Sequence, residues 1–553
     1  MSSKICGARE ALSCIKDGDT VAVSGFNLTT APEYLILELF EMWKETGHPK
    51  NLFIISDTLP AVPGRAFDKV FSELYEMKDQ DFIRGVLMPF IGWSPALMKM
   101  TLENRIEVYS WAIGTCSYWF REAASGRPGI ITKVGLGTFL DPRQDGGASN
   151  EIAKEKKTCK VSVMEIDGEE WLLYQAPLPD VALVRGTTAD TDGYVSMEEE
   201  GFYGTVLNIA QAAKAQPNPG KVICQVKYVV QKGSIPTRDV IIPRALVDHV
   251  VVTPDEDLHR IAGSYVYDPR LAGHIKAQKT KELEALLPTP DKIRDRIVAG
   301  RVLIEVMKLV ANLKKPAFGN LGIGIPVYVS WMAGEFGLSD LLTLTVEPGP
   351  VGGIALVGQD FGVAISPAAI IPMPDMFTNY EGGIIDFASL GFMQIDPKGN
   401  VNPSYSPVRV SGPGGFPVIS AGSPRTYFAG GFTAGKGIDI DADGGKLIIN
   451  SDGNITKFNN ELVKIVFSGP EAAKNGKEII YVTERAVFGL NENGLILKEV
   501  APGVDVEKDI LAKMDFKPQI ADKLETMPEV LFHQSMDPLK EYIDNILKEA
   551  GML

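Results

Sequence analysis

"VAVSGFNLTTAPEYLI", residues 21–36, is the stretch from which the rest of this chain is read. An apolar run, Val21 to Val23, gives way to a turn at Gly25, and Pro32 stands where a helical pattern begins. A short continuous apolar run of this kind reads as a parallel strand buried on both faces. Proline in a first helical turn sacrifices no hydrogen bond, because that N–H has no partner within the helix.

The same logic returns further along. "PAFGNLGIGIPVYVS", from Pro316, again sets out strand, glycine turn, proline and helix. "ADTDGYVS", from Ala189, and "IDPKGNVN", from Ile395, share the spacing Asp-x-x-Gly-x-Val. Two echoes in the same order favour a duplicated α/β unit over the strand–glycine–helix turns that any two α/β domains share. "NLFIIS", "DVALVRGT" and "HVVVTP" read as further buried strands, and "APEYLILELFEMWKETG" and "DKIRDRIVAGRVLIEVMKLVANL" as amphipathic helices. "LLPTP", with Pro288 and Pro290, separates the halves. The expected fold class is therefore α/β, with domains at 1–285 and 286–553. A chain of 553 residues is too long for one hydrophobic core.

Bulk composition excludes several functions. Hydrophobic residues at 45% and charged residues at 23% are ordinary for a soluble globular protein. A net charge of −15 argues against a nucleic-acid surface, which needs clustered Lys and Arg. Cys6, Cys14, Cys116, Cys159 and Cys224 are scattered without zinc spacing and read as reduced thiols with packing roles. His48, His249, His259, His274 and His533 are isolated and form no metal pattern. The run Glu198 to Glu200 reads as a solvated turn or helix start. "GNLGIGIP" lacks the spacing of a dinucleotide fingerprint, and no phosphate-binding GxxxxGK[ST] loop occurs. The first residues lack a signal-peptide core, and no run reaches the ~18 apolar residues of a membrane helix. A cytoplasmic protein is expected.

One carboxylate stands out. In "LTLTVEPGPVGG", residues 342–353, a β-branched strand ends at Glu347 and is followed by proline and glycine. A partly desolvated carboxyl at a strand end gains basicity, and glycines around it admit a large substrate, as a covalent carboxylate nucleophile requires. A glutamate bracing its loop through backbone amides has the same sequence signature. Between Asn320 and Gly437 there are six glycine clusters, which suggest a ligand cleft at strand C-terminal ends.

The chain resembles the family I coenzyme A transferases, in the fused form of the acetate and propionate CoA-transferases. In the first half the resemblance rests on "KDGDTVAVSGF", "GRPGIITKVGLGTFLDPRQDGG" and "DVALVRGTTADTDGYVSMEEE". In the second it rests on "NLGIGIP", "LTVEPGPVGG", "GNVNPS", "GPGGF", "FAGGFTAGK", "YVTERAVFGL" and "EVAPGVD". It implies two related open α/β domains with the active site between them, the second carrying the catalytic glutamate. The family's nucleophile, a glutamate followed by a small residue and glycine, falls on Glu347. The resemblance implies that Glu347 attacks an acyl-CoA to give an acyl-glutamyl anhydride, then a γ-glutamyl-CoA thioester, with ping-pong kinetics. It implies CoA contacts at Gly352, Gly353, Gly412, Gly414, Gly415, Gly430 and Gly431, and a substrate pocket at Asn320, Gly322, Tyr380, Gly382, Gly383 and Ile384.

Two positions depart from the family. Relatives carry a glutamine as oxyanion donor in an N-terminal loop, where this chain has Ile113, followed by the matching Gly114. The donor here is then a backbone amide near Gly114 or the Thr115 hydroxyl, or the loop is shaped for a bulkier, more apolar acyl group. "EGGII" replaces three glycines, so that Ile384 narrows the expected pocket. Tyr118, Trp119 and Phe120 read as core packing. The expected activity is transfer of CoA from an acyl-CoA to a short- or medium-chain monocarboxylate. An acyl-CoA hydrolase and a non-catalytic CoA-binding protein are the alternatives. The remaining expectations are coenzyme A as substrate, no tightly bound cofactor or metal, no nucleic acid or membrane partner, and a homo-oligomer, dimer or tetramer.

Overall fold

Residues 4–77, 79–277, 283 and 286–553 are described by the computed structural model. The expected boundary adjoins residues 284–285, which lie outside that set. The chain forms two compact units. One comprises Met1–Gln278, Val346–Thr378 and Ser406–Val418, and the other Lys279–Thr345, Asn379–Tyr405 and Ile419–Leu553. Two excursions from the second half of the sequence, one bearing Glu347, thus belong to the first unit. Hydrogen bonds hold the longer one there: Asn27 Nδ2 donates to the Phe361 carbonyl (2.9 Å), and the Ser366 N–H to the Arg270 carbonyl (2.9 Å).

In the first unit the opening stretch forms strand β1 (Thr20–Val23) and helix α1 (Glu33–Thr46). Pro32 is the N-cap of α1, and Gly47 closes the helix in the left-handed conformation at φ 74°. With β2 (Leu52–Ser56), β3 (Ile83–Leu87), β4 (Glu107–Tyr109), β5 (Val181–Arg185), β6 (Lys221–Val226) and β7 (His249–Val252), β1 builds a sheet in the order β7-β6-β5-β1-β2-β3-β4. Every neighbouring pair is parallel. Val21, Ile54, Val86 and Leu183 pack with Phe40 and Phe71 in its core.

The second unit repeats this plan. Strands β8 (Ala317–Leu321), β9 (Leu342–Thr345), β10 (Phe387–Gly391), β11 (Arg425–Ala429) and β12 (Glu478–Val482) lie in the order β9-β8-β10-β11-β12, all parallel. That order matches β2-β1-β5-β6-β7. Strands Ala486–Asn491, Gly494–Val500 and Gln519–Thr526 extend the sheet beyond β12. A 21-residue helix, Ile293–Leu313, covers the core through Val298, Val302 and Val306. The Asp-x-x-Gly-x-Val echoes are structurally alike. Asp190 Oδ1 accepts from the N–H groups of Asp192 and Tyr194, and Asp396 Oδ1 from those of Lys398 and Asn400. Each aspartate opens a hairpin whose glycine, Gly193 at φ 93° or Gly399 at φ 76°, takes a conformation costly to any other residue. No helix among the described residues is long and apolar enough to cross a membrane.

Candidate active site

Strand β9 ends at Thr345, which is fastened on two sides. Asn320 Nδ2 donates to the Thr345 carbonyl (3.1 Å) and to Tyr380 Oη (3.3 Å). The Tyr380 hydroxyl donates to Thr345 Oγ1 (3.0 Å). Asn320 and Tyr380 are themselves buried, so in this structure they brace the strand end from which Glu347 emerges. Gly322 lies at the same end of the sheet, its N–H donating to the Ser389 carbonyl (2.8 Å). Gly382, Gly383 and Ile384 precede β10 at the opposite end, and Ile384 is exposed. The fold does not bring these three together with Asn320 and Gly322.

Beyond Thr345 the chain enters a turn closed by the Gly349 N–H on the Val346 carbonyl (3.0 Å), with Glu347 at its second position. Half-buried, the Glu347 carboxyl meets no hydrogen bond or ion pair among the described residues. Desolvation alone acts on it and pushes its pKa up to about 7. A Cβ placed on Gly415 would stand 2.6 Å from Glu347 Oε2 and 2.7 Å from its Cδ. Only glycine leaves room there for the carboxyl.

The loop carrying Gly415 is tied to helix α2 (Ile113–Ala124). Gly414 donates to the Pro89 carbonyl (3.1 Å) and accepts the Ile113 N–H (3.0 Å). The segment expected as a substrate loop is therefore the first turn of a helix. Ile113 is its first residue, buried, with its N–H already engaged. The N–H groups of Gly114 and Thr115 have no acceptor among the described residues, and Thr115 Oγ1 is buried without a partner. A helix start concentrates such donors and is favourable to negative charge. The helix is pressed close: a Cβ on Gly114 would meet Phe377 Cδ1 at 2.5 Å. Trp119 and Phe120 are buried, and Tyr118 donates to Thr378 Oγ1 (3.0 Å).

The remaining expected glycines divide by what fills the space beside them. A Cβ on Gly353 would meet the Ile365 carbonyl at 2.5 Å, one on Gly352 the Ala368 Cβ at 3.3 Å, and one on Gly412 the Pro89 carbonyl at 2.4 Å. Those three allow the chain to pass close to itself. Gly430 and Gly431 are overlain by two cations, Lys457 and Arg294.

The acidic run departs from the sequence reading. Glu200 is buried rather than solvated, clasped by Arg185 through Nε (2.8 Å) and Nη2 (2.5 Å), with His259 Nε2 at 3.3 Å. Glu199 pairs with Lys227 (2.9 Å). The signal missed was the arginine ending β5, whose charge requires a partner once the strand is interior. All five cysteines are free, and burial raises the thiol pKa of Cys116, Cys159 and Cys224.

Comparison with known proteins agrees with this architecture. The family model described as coenzyme A transferase matches residues 7–253. Acetate CoA-transferase YdiF of Escherichia coli (strain K12) is 38% identical over 533 residues, 96% of this chain and 95% of that protein. Caffeate CoA-transferase of Acetobacterium woodii is 37% identical over 552 residues, 97% of this chain and 99% of that protein. The solved acyl-CoA transferase YdiF of E. coli O157:H7, a thioester complex with CoA, matches with a TM-score of 0.83 at 36% identity, covering 97% of each chain. The chain belongs to the coenzyme A transferase family. It is a CoA-transferase, and coenzyme A is its substrate.

Proposed function

We propose that this enzyme moves CoA from an acyl-CoA to a short- or medium-chain monocarboxylate through covalent intermediates on Glu347. The observation that carries the proposal is the Glu347 carboxyl, desolvated, without hydrogen-bond partners among the described residues, and seated against Gly415. Ionised, such a carboxylate is more basic than one in water and has no donor to relinquish before it attacks. Attack on the thioester carbonyl forms the acyl-glutamyl anhydride and releases CoA thiolate. The thiolate then attacks the glutamyl carbonyl, giving the γ-glutamyl-CoA thioester and freeing the acid. The acceptor acid reverses both steps. The thioester complex of the E. coli relative supports the second intermediate.

The developing oxyanion needs donors, and the unpaired N–H groups of Gly114 and Thr115, with the Thr115 hydroxyl, supply them in place of the family's glutamine. The buried Ile113 side chain leaves this wall apolar, which suits a bulkier acyl group. Family resemblance supports a cytoplasmic homo-oligomer without a tightly bound cofactor, and a division into α-type and β-type halves near residue 285.

Incubation with acyl-CoA alone, followed by intact mass and peptide mapping, tests the chemistry. A CoA adduct on the peptide containing Glu347, absent from Glu347→Ala, is expected. Steady release of free CoA without an acceptor acid would instead identify a hydrolase.

A further inference from the structure

Beside Gly430 and Gly431 the second unit holds a positive charge with no counter-ion in contact. Lys457 is 7% exposed, and its Nζ lies 3.9 Å from the centroid of the Phe392 ring. Among the described residues its ammonium makes no hydrogen bond or ion pair. A Cβ on Gly430 would stand 2.9 Å from that Nζ, and one on Gly431 would stand 2.8 Å from Arg294 Nη1. Two consecutive glycines therefore each face a cation, and the Gly431 N–H has no acceptor among the described residues.

None of the nearby carboxylates is in contact with Lys457. Asp295 takes Arg294 Nε (2.8 Å). Glu484 accepts from the Phe432 N–H (2.8 Å) and from Arg485 Nε (2.8 Å). Asp452 binds Arg485 Nη2 (2.6 Å) and Lys513 (3.3 Å). Glu484 and Asp295 act on Lys457 only at a distance, and burial, with the Arg294 charge, lowers its pKa to about 7. Buried against the Phe392 ring with no acceptor for its N–H groups, Lys457 is held protonated most readily by an anion seated beside it.

We propose that Lys457 and Arg294, set over Gly430 and Gly431, form the seat of a substrate oxyanion, a phosphate or carboxylate group. The seat follows from the geometry above, whereas assigning its occupant to acyl-CoA or to the acid rests on the CoA-transferase reading. Lys457 and both glycines are buried and only the Arg294 side chain, 14% exposed, reaches partly into solvent, so the seat accommodates a compact group rather than a nucleoside.

The test compares the full-length wild type with Lys457→Met and Arg294→Met, using calorimetry with inorganic phosphate, CoA, dephospho-CoA and pantetheine, and steady-state kinetics with the acceptor acid. A tenfold or greater loss of phosphate and CoA affinity, with pantetheine binding unchanged, assigns the seat to a CoA phosphate. Parallel loss for dephospho-CoA then indicates the diphosphate, and its absence the 3′-phosphate. Unchanged CoA affinity with a tenfold rise in KM for the acid assigns the seat to the carboxylate. Should Lys457→Met fail to fold, Lys457→Arg, which keeps the charge, is expected to retain binding, and Gly430→Ala, whose methyl would displace Lys457 Nζ, is expected to show the same loss. Folded variants that bind phosphate, CoA and acid like the wild type would overturn the proposal and leave a purely structural charge. Because transfer through Glu347 is read separately by the covalent adduct, that outcome is distinguishable from failure of the transferase reading.

Discussion

Gly415 lies directly against the Glu347 carboxyl, so closely that a methyl group there would stand 2.6 Å from Oε2. The absence of a side chain at one residue sets the position of the carboxyl on another. Gly415→Ala must push the carboxyl aside, and displacement by about 1 Å costs on the order of 100-fold in rate. The expected result is that loss in kcat with little change in thermal midpoint, measured by transfer assay and calorimetry. Near-normal kcat would mean that the carboxyl does not react from this position.

Protonation of Glu347 should appear in the kinetics. Its pKa of about 7 implies that the rate of adduct formation rises with pH and levels off above about 7. Asp57 is also buried, with a pKa raised by desolvation to about 7, and Asp57→Asn provides the control. The inflection should persist in Asp57→Asn.

The same carboxyl should weaken the fold. Its folded pKa lies above the unfolded value of 4.5, so its ionisation is disfavoured in the native state. The folded state is relatively favoured below pH 4.5 and loses that advantage as pH rises to about 7. Glu347→Gln, inactive and without a CoA adduct, should therefore raise the thermal midpoint more at pH 8 than at pH 4. An equal or smaller effect at pH 8 would contradict the desolvated environment.

Thr115 carries a buried hydroxyl without a partner among the described residues. If it donates to the oxyanion, Thr115→Val should lower kcat by about 100-fold or more while KM stays near its original value. Stability should hold or rise, since an unsatisfied polar group has been removed. A merely structural threonine would give the reverse pattern.

Removing the buried partner of Arg185 should unfold rather than inactivate. Glu200→Gln strands Arg185 and is expected to cost about 3–5 kcal/mol in chemical denaturation. Arg185 and His259 hold the Glu200 pKa well below 4.5, so its stabilisation is present above that value and is lost as pH falls. His259, pushed down to about 3 by burial and the Arg185 charge, takes a proton only on unfolding and adds acid lability between pH 6.5 and about 3. The variant should lose only the Glu200 component, so that its profile flattens below about pH 4.5 while the His259 component between pH 6.5 and about 3 persists.

The sequence by itself determined the strands and long helices read from it, Thr20–Val23 and Ile293–Leu313 among them, and the duplication, but not the helix that begins at Ile113. Apolar runs such as Val21–Val23, the glycine turns and Asp-x-x-Gly-x-Val are local signals whose physics is complete within a few residues. It also drew attention to Glu347, a carboxylate between a buried strand and a glycine run, although the nucleophile's role came from the family resemblance and not from that local pattern. Only the tertiary structure decided what surrounds that carboxylate. Gly415 lies 68 residues further along the chain, and the helix start at Ile113 belongs to the other half of the sequence. The burial of Glu200 by Arg185 and the burial of Lys457 against Phe392 are likewise set by distant segments. Desolvation and charge balance depend on everything that packs around a group, and no sequence window contains those neighbours.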